Sequence, residues 1–123
     1  TPFQHAAAAA LAFPPEYYAG LRQHYAEARQ YLYDVLVAVG FECSPPKGAY
    51  YILAGIGSLK DKLGAADDFA FARRLIEVAG VATVPGSSFY SGGAKGADQV
   101  RFCFCKKWET LRAVAANLRK LPR

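Results

Sequence analysis

From Glu16 to about Val39 the apolar residues return every third or fourth position: Leu21, Tyr25, Ala28, Leu32, Val35 and Val39. That spacing gathers them into one stripe along an α-helix of about six turns. A helix with a single apolar stripe cannot close a core alone, so another layer must lie against it. Pro14-Pro15 marks its start, because the residue before a proline avoids the helical region and a first-turn proline is tolerated. Gly40 is its natural C-cap. Ahead of it, Pro2 and the run Ala6 to Ala12 predict a short helix of high intrinsic propensity.

The other layer is written downstream as short strands. Phe41-Glu42-Cys43 predicts a brief strand before the Pro45-Pro46 break, and Ala49-Tyr50-Tyr51-Ile52-Leu53 an aromatic and β-branched one. Gly55 to Gly64 reads as a loop with a helical turn. Asp67 is a good N-cap for a helix carrying Phe69, Ala72, Ile76 and Ala79 on one face, with Gly80 closing it. Val81 to Val84 and Val100 to Cys105 predict two further strands, separated by a glycine- and serine-rich loop from Gly86 to Asp98. Trp108 to Leu121 predicts a last helix with Leu111, Val114, Ala115 and Leu118 inward. The order implies an α/β (α+β) two-layer sandwich, a small mixed or antiparallel sheet with helices on one face. The uncovered sheet face then needs a further partner. Residues 1–40 form a helical lead-in and residues 41–123 the α/β body.

The 123 residues suffice for one hydrophobic core. With 53% hydrophobic and 20% charged residues the composition is globular rather than disordered. The net charge of +5 would suit several anionic partners, yet the basic residues are scattered along helical stretches as solvated faces are. The strands carry almost no charge except Arg101, so neither nucleic acid nor a membrane is expected as a partner. No apolar run approaches the roughly 20 residues of a membrane span. Cys43, Cys103 and Cys105 are odd in number and include no CxxC pair, which argues against a disulfide framework and a zinc site. A reducing, cytoplasmic setting is the expectation. The chain opens on Thr1-Pro2 and contains no methionine, as a piece of a longer polypeptide would.

Arg101 is the sharpest chemical feature. In Val100-Arg101-Phe102-Cys103-Phe104-Cys105, strand alternation puts Arg101, Cys103 and Cys105 on one face and Val100, Phe102 and Phe104 on the other. An arginine in so apolar a strand must leave the core or meet an anion, because burying it unpaired is costly. Its planar fork fits a carboxylate bidentately, whether a protein carboxylate at a sheet edge or a ligand's. The loop Pro85-Gly86-Ser87-Ser88-Phe89-Tyr90 offers hydroxyls and an aromatic wall for a small-molecule pocket, but no nucleotide phosphate loop. Cys103 and Cys105 read as small buried hydrophobes rather than metal ligands. Asp67-Asp68 reads as helix capping, and His24 as a solvated helix residue.

Five segments in order, Pro46 to Tyr51, Asp67 to Ala72, Gly80 to Tyr90, Val100 to Phe104 and Glu109 to Leu111, resemble the C-terminal part of class I/II aminotransferases, the fold-type-I pyridoxal-phosphate enzymes. Thr1-Pro2-Phe3-Gln4 resembles the segment that follows the family's cofactor lysine, and the likeness covers essentially the whole chain. It resembles most the branch holding aspartate, methionine and kynurenine aminotransferases. The resemblance implies a small domain whose parent moves an amino group between an L-amino acid and a 2-oxo acid, in a homodimer. It implies that Arg101 binds the substrate α-carboxylate, that Tyr50 borders the substrate, and that Phe89 and Ser87 lie at its edge. It also implies that pyridoxal 5'-phosphate, its lysine and its phosphate cradle belong to a large domain absent from this chain. The chain alone is then expected to hold no catalytic residue, to bind no cofactor and to be inactive. The competing expectation is an autonomous regulatory α/β domain that binds a carboxylate or an amino acid unaided.

Overall fold

The computed structural model describes residues 1–92 and 94–122, so Gly93 of the glycine-rich loop lies outside the described residues. Helix α1 spans Pro2–Leu11 and α2 Pro15–Val39. Gly40 caps α2 in the left-handed region at φ 110°, where a side chain would be strained. The stripe seen in the sequence faces the core from its middle onward: Ala28, Leu32, Val35 and Leu36 are buried, Tyr25 and Val39 partly so, while Leu21 is exposed. Helix α1 buries nothing.

The strands are β1 (Glu42–Cys43), β2 (Tyr51–Gly55), β3 (Val84–Pro85) and β4 (Gln99–Cys103), all antiparallel in the order β1-β2-β4-β3. Helices α3 (Gly57–Lys62), α4 (Asp68–Ala79) and α5 (Trp108–Leu118) complete the second layer. The expected α/β two-layer arrangement is thus present. Pleat alternation sorts the sheet. Ile52, Ala54, Val100 and Phe102 are buried with Leu32, Leu36, Phe71, Leu75 and Leu111 in one core. Tyr51, Leu53, Arg101 and Cys103 occupy the opposite, partly open face. No helix among the described residues is long and apolar enough to cross a membrane.

Strand boundaries differ from expectation, and β4 ends at Cys103 rather than Cys105. Strand β2 starts at Tyr51 and not Ala49, because Ala49 sits at φ 60°, a left-handed conformation that breaks an extended run. Strand β3 holds only Val84–Pro85, since residues 81–83 leave the ladder to β4. Pro85, without an N–H, ends the sheet at its edge. The face of α4 also differs. Phe71, Ala72, Leu75 and Ala79 point inward while Phe69 and Ile76 are about half exposed. The helix carries two apolar stripes, and only the sheet's position selects between them.

Candidate functional site

Arg101 stands in the middle of β4, opposite Leu53 of β2 and Val84 of β3, on the open face of the sheet. Its guanidinium carbon lies 4.7 Å from the centroid of the Phe89 ring and 5.0 Å from that of Tyr51. Such contacts hold a cation through the ring quadrupole at about 0.5–2 kcal/mol each, but a ring face supplies no acceptor lone pair. Nε of Arg101 is buried and has no hydrogen-bond partner. No carboxylate answers it either: among the described residues the only ion pair is Arg74 with Glu77, at 2.9 Å. A guanidinium held in place with an N–H unsatisfied is equipped to receive an external anion.

Tyr51 reaches this site by strand register, since it faces Cys103 two residues beyond Arg101 on the same side of the pleat. Phe89 reaches it from a 3-10 turn over Gly86–Phe89 that follows β3 directly. Two glycines pack that turn tightly. A Cβ on Gly86 would meet the Gly96 carbonyl oxygen at 2.4 Å, and one on Gly96 the Gly86 carbonyl oxygen at 2.6 Å. The backbones of Gly86 and Gly96 therefore meet where no side chain has room.

A cavity of about 350 Å³ opens where residues 81–83 part from β4, lined by Thr83, Arg101, Cys103, Lys106 and Thr110 above a floor of Leu32 and Leu111. Thr83 contributes a buried hydroxyl oxygen without a partner. The cavity contains one lysine and no carboxylate side chain.

Of the residues expected at the site, Arg101 and Phe89 are brought together. Ser87 lies in the same turn, and its backbone N–H donates to Oδ2 of Asp68 at 2.8 Å. Tyr50 is about half exposed, meets Tyr51 edge to face, and lines a separate cavity with Tyr25, Arg29 and Phe104. That Tyr51, Thr83 and Asp68 stand near Arg101 or its neighbouring turn was not expected from the sequence. For Tyr51 the signal was present, since a residue two before its strand partner's face follows from alternation once the pairing is known.

Asp67 caps α4 as expected, its carboxylate accepting the N–H of Ala70 at 2.8 Å. Asp68 does not serve as a cap. It is the one buried charged residue among those described, at 2% exposure, and turns to the Gly86–Phe89 turn instead. Cys103 and Cys105 are partly exposed rather than buried: Cys103 shares the open face with Arg101, while Cys105, beyond the end of β4, lines a hollow with His24, Tyr25 and Trp108. Cys43 is a free thiol too, and burial pushes its pKa from the ordinary 9.0 to about 11. No group of three or more His, Cys, Asp or Glu that could hold a metal ion occurs among the described residues.

The model of the family described as aminotransferase class I and II matches residues 1–118. The methionine aminotransferase of Escherichia coli (strain K12) is 34% identical over 121 residues, covering 98% of this chain and 30% of that protein. A probable N-acetyl-LL-diaminopimelate aminotransferase of Bacillus subtilis (strain 168) is 39% identical over 92 residues, 75% of this chain and 21% of that protein. The solved N-succinyldiaminopimelate aminotransferase from Mycobacterium tuberculosis superposes with a TM-score of 0.84 at 33% identity, over 98% of this chain and 30% of that one. The chain thus spans less than a third of the relatives it matches. Matched along nearly its whole length by family and by fold, it belongs to the class I and II aminotransferases.

Proposed function

We propose that this chain is the C-terminal small domain of a pyridoxal-phosphate-dependent aminotransferase, and that Arg101 binds the α-carboxylate of its amino acid and 2-oxo acid substrates. The observation that carries the proposal is the state of Arg101: steadied by Phe89 and Tyr51, with Nε buried and unpartnered and no acid beside it. A carboxylate docking in the plane of the guanidinium satisfies two N–H groups at once and offsets the burial of charge. Fixed by two parallel hydrogen bonds, the substrate keeps its Cα at one distance and angle, which is how binding energy is turned into reaction rate.

The residues about Arg101 do not fit a complete cofactor site. Beyond Lys106 the adjoining cavity offers no second lysine, and no carboxylate lines it to meet a pyridine nitrogen. In this reading the cofactor and the lysine that bonds it belong to the parent outside these residues, the chain by itself is inactive, and its partner is the large domain. Pyridoxal phosphate supplies the electron sink when bound there; what this chain supplies is the grip on the carboxylate.

The test is Arg101→Lys in the full-length parent. Lysine keeps the charge and loses the fork, so one charge-assisted hydrogen bond of about 1.5–3 kcal/mol goes. The expected loss in kcat/KM is about 10- to 150-fold. An unchanged value with α-amino acid substrates would remove Arg101 from the site.

A further inference from the structure

The one buried charged residue among those described has no role in the reading above. Asp68 is 2% exposed, and the first turn of α4 places its carboxylate where the helix N-terminus stabilises negative charge. The N–H groups of that turn do not use it, because Asp67 already caps the helix through Ala70. Its hydrogen bond goes 19 residues onward, to the backbone N–H of Ser87 at 2.8 Å. A carboxylate withdrawn from water and aimed at one loop amide acts as a tether for that loop.

The tethered loop is the turn that carries Phe89. Ser87 lies inside Gly86–Phe89, and its carbonyl accepts the N–H of Tyr90 at 3.2 Å, which closes the turn around Phe89. Upstream, the turn joins β3, whose Val84 pairs with Arg101 itself. Downstream, Phe89 is 45% exposed, so little core packing fixes its ring, yet it stands 4.7 Å from the guanidinium. Three anchors thus bear on where that ring lies: the pairing of β3 with β4, the backbone contact of Gly86 with Gly96, and the hydrogen bond to Asp68.

We infer that Asp68 is a positioning residue of the Arg101 site: by holding Ser87 it sets Phe89 against the guanidinium and so fixes the direction in which Arg101 presents its N–H groups. The inference rests on the proposed role of Arg101 for its functional meaning, but the linkage from Asp68 to Arg101 exists without any ligand and is tested without one.

The readout is the Nε–Hε signal of Arg101 in ¹⁵N-resolved spectra of the full chain, identified by its loss in Arg101→Lys. In the unaltered chain the two aromatic rings shift Hε away from the position of the exposed arginines. Phe89→Ala is expected to move it toward that position, and Asp68→Ala to move it the same way. Asp68→Asn keeps an acceptor for the Ser87 N–H and is expected to restore most of the original shift. The deciding comparison is Asp68→Ala in the Phe89→Ala background, where its effect on Hε should largely vanish because the two act in series. Should Asp68→Ala lose the dispersed amide spectrum of a folded chain, Ser87→Pro removes the donor and leaves the carboxylate in place, and the same shift is read. An Arg101 signal unmoved by a folded Asp68→Ala or Ser87→Pro chain overturns the inference. So does a full additive effect in the Phe89→Ala background. A coupling that holds while Arg101→Lys leaves parent turnover unchanged would sink the carboxylate role instead and keep the tether.

Discussion

Replacing Gly86 with alanine puts one carbon into a space that backbone already fills. Its Cβ would lie 2.4 Å from the Gly96 carbonyl oxygen, 2.7 Å from that of Gln99 and 2.9 Å from the Gln99 Cβ. None of these is the end of a flexible side chain, so relief requires the turn to move away from β4. Overpacking of this kind costs about 1–3 kcal/mol, and three contacts under 3 Å put Gly86 at the upper end of that range. Gly96→Ala meets the same close backbone approach from the other side, at 2.6 Å from the Gly86 oxygen, and adds left-handed strain because its φ is +76°. That strain is worth about 1–3 kcal/mol more, so Gly96→Ala should be the worse of the two. Because both changes push apart one contact, the double variant should cost less than the sum. Urea unfolding followed by far-UV circular dichroism checks this. With a slope of about 1–3 kcal/mol/M for a domain of this size, Gly86→Ala should lower the midpoint by about 1–3 M. A midpoint within experimental error of the unaltered chain would refute the close approach, and strict additivity would refute a shared contact.

Two further outcomes follow from the same structure. Asp67→Ala removes the acceptor for the Ala70 N–H and should cost about 0.5–2 kcal/mol in the same urea assay, while Asp67→Ser should recover most of it. Burial raises the Cys43 thiol from 9.0 to about 11, so between these values the unfolded chain ionises while the folded one stays protonated. The unfolded state then binds fewer protons, and stability should fall as pH rises from about 9 to about 11, with Cys43→Ala flattening that slope in urea midpoints.

The helix limits were legible because their signals are local. Pro15, Gly40, Asp67 and Gly80 each act on their own backbone, and α2 and α4 stop and start at them. The faces of β4 were legible for the same reason: Val100, Phe102 and Phe104 are buried as the period of two requires, with Arg101 turned away. Ala49 shows where local reading fails. Its neighbours favour a strand, yet it adopts φ 60°, a conformation no propensity assigns to alanine. Helix α4 shows a different failure, since Phe69 and Ile76 repeat as regularly as Phe71 and Leu75, and periodicity cannot say which stripe meets a sheet.

What the sequence by itself determined is the arginine and its setting: one charge in an apolar strand, with a glycine-serine turn ahead of it. Family membership was readable from the same ordered motifs, and the chain bears it out along residues 1–118. The tertiary structure alone decided who stands beside that arginine. Tyr51 and not Tyr50 flanks it, because antiparallel register sets Tyr51 opposite Cys103. Asp68 reaches Ser87 across 19 residues, and Gly86 touches Gly96, because both pairs depend on how a loop returns to the sheet. Such contacts join residues with no periodic relation to one another. A strand's period fixes which way a side chain points; only the packed chain fixes what it finds there.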